Sequence, residues 1–372
     1  YTLSPCASLL YSSAGSNLST LLVSIETSQS LSDESHLEYR IENLLGDSIV
    51  DWQFVNEVSQ SEVSLVYSGE FMIRLRSHDV DKPLDFQIAV DCMSGCEAEF
   101  TRYPIVFMHG LAGFDTLLNV MDYWVGVEDV LTTQGYAPFI YGVSAFDPTP
   151  TRADQWSQHL SVLNQQTGAR KVNIIAHSQG GLDARYYATV LDFNNSVASI
   201  TTISTPHAGT AVADLLSGVV DLGPTDGQIV DALVSGAAEL FGTTGDSFSE
   251  QLEQMTPDSM DVFNEEVPDV SGVKYYSWAG KSCRYLQWSC QSDMDGETVS
   301  SYFLLSHAYL ESQEGDNDGL VSVSSAEWGT FLGVFPADHI DEVGHRFDLS
   351  AQPFNASEFY LSEARRLAAL GL

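Results

Sequence analysis

The stretch VNIIAHSQGGLDARYYATVL, residues 172 to 191, constrains this chain more than any other. An apolar, β-type run ends in Ser-x-Gly-Gly and continues at once with helical spacing. The backbone must therefore turn from strand to helix with almost no loop. Glycine supplies the conformational freedom for such a turn at an entropic cost, so the turn is expected to position something. At its tip stands Ser178. The residues Ala176-His177-Ser178-Gln179-Gly180 fit the strand–turn–helix elbow G-x-S-x-G, with Ala in place of the first Gly.

The neighbouring segments repeat the alternation. PIVFMHG, APFIYGVS, KVNIIAH, SVASITTIST and KYYSWAG read as strands; YWVGVEDVLTTQG and RADQWSQHLSVLNQQTG read as helices. Strands alternating with helices predict a mostly parallel central sheet covered on both faces. The first hundred residues differ. STLLVSIETS, LEYRIENLL, VDWQFVNEV, GEFMIRLRS and LDFQIAVDC are short runs between polar turns, the pattern of a small all-β sandwich. We therefore expect an N-terminal β-rich module over 1–100, a linker near Cys92 to Arg102, and an α/β catalytic domain over 101–372.

Charge narrows the partners. With 15 basic and 51 acidic residues the net charge is −36, and only four residues are lysine. Such a surface repels nucleic acid and anionic membranes; salt would screen its self-repulsion. No apolar run is long enough to cross a bilayer. The chain starts at Tyr1 without a Met or a basic, apolar leader, which reads as a mature or trimmed form whose export signal, if any, has been removed. The charge suggests a secreted protein in a salty extracellular medium. Cys92 and Cys96, and Cys283 and Cys290, are close pairs that read as local disulfides, leaving Cys6 odd. Zinc is the rival reading, but no histidine accompanies them at ligand spacing.

Parallel α/β sheets place ligands at the carboxyl ends of their strands, where Ser178 falls. A hydroxyl needs a base, and the base an orienting carboxylate. If the order is Ser, acid, His, the acid is sought in the turn GDNDGLVS, where Asp318 leads and Asp316 competes. Only His339 and His345 follow that turn; His345, beside Arg346, is the less attractive base. His177, His207, His159 and His307 read as structural. Acyl transfer also needs backbone N–H donors for the oxyanion. Gln179, after the serine, is one; Leu111, in the loop MHGLAG, is the other.

Taken together, YPIVFMHGLAGFD, AHSQGGLDARY, STPHAGTAVADLL, YYSWAG, NDGLVSVSSAEWG and DHIDEV resemble the bacterial true lipases of the Pseudomonas and Burkholderia type, over roughly 101 to 372. The resemblance implies an α/β-hydrolase fold and a lipase whose triad is Ser178, Asp318 and His339. It puts Leu111 and Gln179 on the oxyanion positions. It also implies a structural calcium near the histidine. Asp341 and a second aspartate, Asp295 with Asp293 close behind, would give carboxylates; His345 and Leu349 would give carbonyls. A dedicated foldase during secretion and a monomeric enzyme at a lipid interface belong to the same expectation. Ser324 stands where the family has a disulfide cysteine, and the N-terminal module is outside the family pattern.

The expected activity is triacylglycerol hydrolysis. Phospholipase A1 or polyester hydrolysis would use the same groups, and the alternative of another class is a non-catalytic binding or adhesion protein on a hydrolase scaffold. The segment 226–242 is apolar along one helical face. It suggests a helical lid within about 210–260 that would meet a lipid surface, with a buried helix as the plain alternative.

Overall fold

The computed structural model describes residues 2–3, 8–15, 19–27, 37–43, 46–55, 58–64, 69–77, 84–94, 100–111, 116–117, 121–216, 231, 253–285, 287, 290, 294, 297–346 and 354–372. Its first eight strands are β1 (Thr2–Leu3), β2 (Ser8–Gly15), β3 (Thr20–Thr27), β4 (Leu37–Asn43), β5 (Ser48–Phe54), β6 (Val58–Ser64), β7 (Gly69–Ser77) and β8 (Leu84–Ser94). They form two antiparallel sheets, ordered β1-β8-β3-β6 and β2-β7-β4-β5. Strand β3 shows the alternation that drives them together: Leu21, Val23 and Ile25 are buried while the residues between them face outward. They share one core with Leu37, Tyr39 and Ile41 of β4 and Phe71, Ile73 and Leu75 of β7. The expected all-β module is a two-sheet sandwich.

The second part is a six-stranded parallel sheet. Its strands are β9 (Ile105–Met108), β12 (Pro138–Ile140), β13 (Val172–His177), β14 (Val197–Ile203), β15 (Lys274–Lys281) and β16 (Thr330–Pro336), in the order β12-β9-β13-β14-β15-β16. The short pair β10 (Thr116–Leu117) and β11 (Met121–Asp122) stands apart. Strands β9, β13 and β14 are buried along their whole length, as continuous apolar runs in a two-sided sheet should be.

Alternate residues of these strands feed opposite cores. Val106, Met108, Ile174 and Ala176 pack with Trp156 and Leu160 of helix α2 (Thr149–Thr167) and Ala184 of α3 (Gln179–Tyr186). Phe107, Ile175 and Ile203 face the other way, toward Leu131 of α1 (Val127–Thr133) and Tyr360, Ala364 and Leu367 of the last helix (Ala356–Ala369). Helix α1 starts later than the sequence suggests. Gly126 is left-handed at its N-cap, which leaves Tyr123 and Trp124 in the preceding turn. Helix α2 starts with proline in its first turn and stops at left-handed Gly168. No helix among the described residues is long and apolar enough to cross a membrane. Cys283 and Cys290 are disulfide-bonded, as expected; Cys92 is disulfide-bonded too, and Cys6 and Cys96 lie outside the described residues. Apart from its flanks and Asp231, the expected lid also lies outside them.

Candidate active site

Strand β13 runs into α3 through Ser178, which holds φ 54° and ψ −130°. Few non-glycine residues occupy that region, because Cβ meets the backbone there. The elbow is compact enough that a Cβ on Gly110 would lie 2.7 Å from Ser178 Cβ, and one on Gly180 would strike the Met108 and His109 carbonyl oxygens. Glycine at both places lets the end of β9 pass directly beside the serine.

Asp318 sits in the turn before Val323–Ala326. Its Oδ1 accepts from the backbone N–H groups of Leu320 (2.8 Å) and Val321 (2.7 Å), and Gly319 closes the turn at φ 104°. That leaves Oδ2 for His339 Nδ1 at 2.7 Å. The carboxylate can only accept, so Nδ1 donates and Nε2 of the neutral ring is left as an acceptor. Nε2 lies 2.9 Å from Ser178 Oγ. The backbone N–H of His339 also donates to the Asp318 carbonyl at 3.0 Å, which locks the two loops together. Ser178, His339 and Asp318 are all buried. The competing acid Asp316 is elsewhere: it is exposed and pairs with Lys281 at 2.7 Å.

Gln179 opens α3, where the first-turn N–H groups lack intrahelical partners. Leu111 follows Gly110 at the end of β9. That loop is braced from behind. His109 Nδ1 donates to the Gly110 carbonyl (2.9 Å), and its Nε2 accepts from Val143 N–H (3.0 Å). The second contact requires a neutral ring, and burial, reinforced by the Arg152 charge, lowers the His109 pKa to about 3. Arg152 donates to the carbonyl of His109 (2.6 Å) and to that of Ser144 (2.7 Å) while pairing with Asp183 at 2.8 Å.

His177 does brace the elbow, but through a chain that the sequence reading missed. Its Nδ1 is 2.7 Å from Tyr123 Oη and its Nε2 2.9 Å from Glu342 Oε2. Burial, then the neighbouring His339, hold the His177 pKa well below the ordinary range; burial and the nearby Asp318 charge push the Glu342 carboxyl well above its own. Donor atoms of His177, His339 and Glu342 lie within 4.8 Å of one another, a spacing that could suit a metal ion. Every nitrogen of both rings is already hydrogen-bonded, so a metal there would have to displace those bonds. Of the other described histidines that read as structural, His207 meets Arg185 and Thr202, His159 the Gly142 carbonyl, and His307 the Ser282 carbonyl.

Of the expected calcium ligands, Asp341, two residues after His339, is buried on the short turn Asp341–Val343, and His345 lies just beyond it. Hydrogen bonds from Gly344 N to the Asp341 carbonyl and from His345 N to the Ile340 carbonyl close that loop. A buried carboxylate and a main-chain carbonyl on one loop fit the hard, oxygen-only donor set of calcium. Asp293, Asp295 and Leu349 lie outside the described residues.

A family model described as alpha/beta hydrolase fold matches residues 103–244. A triacylglycerol lipase of Vibrio cholerae is 33% identical over 293 residues, covering 73% of this chain and 89% of that protein. One from Pseudomonas fragi is 30% identical and covers 73% and 98%; one from Burkholderia plantarii is 30% identical and covers 65% and 79%. Among solved structures, a Bacillus licheniformis lipase in its mature form aligns with a TM-score of 0.53 at 19% identity, over 74% of this chain and 94% of that one. Lipase 1 of Pelosinus fermentans gives 0.52 at 18%, over 73% and 100%. These two share the fold. On the first three relatives, the chain belongs to the α/β-hydrolase family of bacterial lipases and is a carboxylic ester hydrolase.

Proposed function

From that membership we propose that the protein is a secreted triacylglycerol lipase. The observation that carries the reading is the hydrogen-bonded line from Ser178 Oγ through His339 to Asp318 at a strained strand-to-helix turn. In this reading His339 Nε2 takes the Ser178 proton as Oγ attacks the ester carbonyl. The oxyanion of the tetrahedral intermediate is held by the backbone N–H groups of Leu111 and Gln179. The imidazolium, steadied by Asp318, returns the proton to the leaving glycerol oxygen as the C–O bond breaks. Water then enters by the same base and releases the fatty acid.

Calcium, held by Asp341, Asp295 and the carbonyls of His345 and Leu349, would supply charge that stiffens the His339 loop. Export to an oxidising medium agrees with the Cys283–Cys290 disulfide and the strongly acidic composition. A foldase-assisted route and a monomeric state complete the proposal.

The test compares the protein with its Ser178→Ala variant on emulsified long-chain triacylglycerol and on a soluble p-nitrophenyl ester. We expect hydrolysis of both by the parent and a loss on the order of 10⁵- to 10⁶-fold in the variant. Near-normal turnover by a folded variant would refute the role of Ser178. Ester hydrolysis without activity on the emulsion would refute the lipase.

A further inference from the structure

Behind Ser178 lies a second chain of hydroxyl, imidazole and carboxyl groups, anchored at each end by a backbone amide. At one end the backbone N–H of Gly110 donates to Tyr123 Oη at 3.0 Å. Tyr123 has one proton of its own, and His177 Nδ1 at 2.7 Å accepts it. A neutral His177 must then carry its proton on Nε2, which donates to Glu342 Oε2. At the other end Gly280 N–H donates to Ser204 Oγ at 2.9 Å, so the Ser204 proton is directed to Glu342 Oε1 at 2.6 Å. Each hydroxyl thus accepts from a backbone amide while its own proton is placed to pass inward, and in this arrangement the hydrogen bonds converge on Glu342.

The chain joins two loops that must keep register with the same serine. Gly110 immediately precedes Leu111, and Glu342 is three residues beyond His339. His177, at the middle, is the residue before Ser178, and its ring centroid is 4.6 Å from that of His339. Glu342, His177 and Tyr123 are all buried, which keeps water from replacing any link.

We propose that Tyr123, His177 and Glu342 are positioning residues that hold the Gly110–Leu111 backbone against Ser178 and tie that loop to the one carrying His339. The inference rests on Ser178 being the nucleophile and Leu111 N–H an oxyanion donor. It assigns Tyr123 the task of aiming that donor: without its hydroxyl, Gly110 N–H loses its acceptor and the peptide that follows is free to rotate.

Tyr123→Phe in the full chain tests this with a soluble ester and a boronic acid that mimics the tetrahedral intermediate. The expected result is a fall in kcat of about 10- to 100-fold, with KM within twofold. The boronic acid's Ki should rise by a similar factor, because the defect is in the oxyanion donors. A kcat within twofold of the parent overturns the proposal, as does a lowered kcat with unchanged boronic acid affinity. Neither result touches the hydrolase reading, which stands on Ser178→Ala.

Should Tyr123→Phe fail to fold, His177→Asn and His177→Gln replace it. Asn can still accept from Tyr123, whereas Gln keeps only the reach to Glu342. His177→Asn is expected to retain at least fivefold more kcat, with the tighter boronic acid binding, and the reverse order overturns the assignment.

Discussion

The sandwich and the parallel sheet hold themselves together in different ways. In the sandwich the core is apolar, and the charged pairs keep one foot in water. Glu42 and Glu38 are met by Arg74 and Arg76, whose side chains remain 40% and 41% exposed. In the catalytic part, Arg152 and Asp183 are both fully buried, with Trp156 Nε1 also donating to Asp183. Full burial of charge is not needed to make a stable β or α/β layer, and desolvation makes it expensive. Here it fixes a loop: Arg152 reaches the carbonyls of His109 and Ser144, the two loops at the mouth of β9 and β12. Buried polarity marks where this molecule needs position as well as stability.

The largest expected effect sets chemistry against architecture. Asp318→Asn keeps the shape of the acid but lets His339 adopt the wrong tautomer, so kcat on a soluble ester should fall by about 10⁴-fold. Arg76→Gln in the sandwich should leave kcat within twofold. A comparable loss in both would mean that the sandwich contributes to the site itself.

Next comes stability. Arg152→Met strands the Asp183 carboxylate in the core and should cost about 3–5 kcal/mol in a denaturant titration. Arg74→Met should cost no more than about 1 kcal/mol, because Arg74 is itself 40% exposed and the buried Glu42 keeps Arg40 at 3.7 Å. Equal losses would erase the distinction between the two regions. Chelation is expected to be milder. Removing calcium held at about 100 times its Kd lowers stability by about 2.7 kcal/mol, and Asp341→Ala should reproduce that loss with Ser178, His339 and Asp318 untouched. Recovery is expected with calcium and not with magnesium; an unchanged Tm in excess chelator would remove the metal from the proposal.

Much of this was legible in the residues. The elbow at Ser178, the Gly-flanked turn at Asp318 and the late His339 each carry a local pattern, and the strand–helix alternation follows from periodicity. Asp316 and Asp318 could not be separated that way, since they differ only in which side of one turn they occupy. Asp318 alone gains two backbone N–H donors and a buried ring; Asp316 finds Lys281 at the surface. Tyr123, Glu342 and Ser204 were not singled out: Ser204 and Glu342 lie inside STPHAGTAVADLL and DHIDEV, but a motif does not show which partner each side chain meets. Their roles arise from contacts across 54 and 138 positions of chain, from Tyr123 to His177 and from Ser204 to Glu342. A hint did exist in the pair Asp341-Glu342, two adjacent acids entering an apolar turn, where one acid would serve a metal and the other needs a different reason.

The smallest effect concerns pH and separates a buried neutral imidazole from an ordinary surface one. His109 is held at a pKa of about 3 against an ordinary 6.5, with burial the main cause. The unfolded chain therefore binds a proton below pH 6.5 that the folded protein refuses. The stability due to this group is fully present above pH 6.5 and is lost as the pH falls toward 3. Between about pH 5.5 and 4.5 the loss is about 1.4 kcal/mol per pH unit. Other buried groups titrate in the same range, so the useful quantity is a difference. His109→Asn keeps a donor and an acceptor but has nothing to protonate. Its stability, measured by denaturant unfolding across that window, should fall less steeply than the parent's by about that slope. Parallel curves would mean that His109 charges freely in the folded state. Its two hydrogen bonds to the Gly110 carbonyl and Val143 N–H would then not be what holds the loop before Leu111.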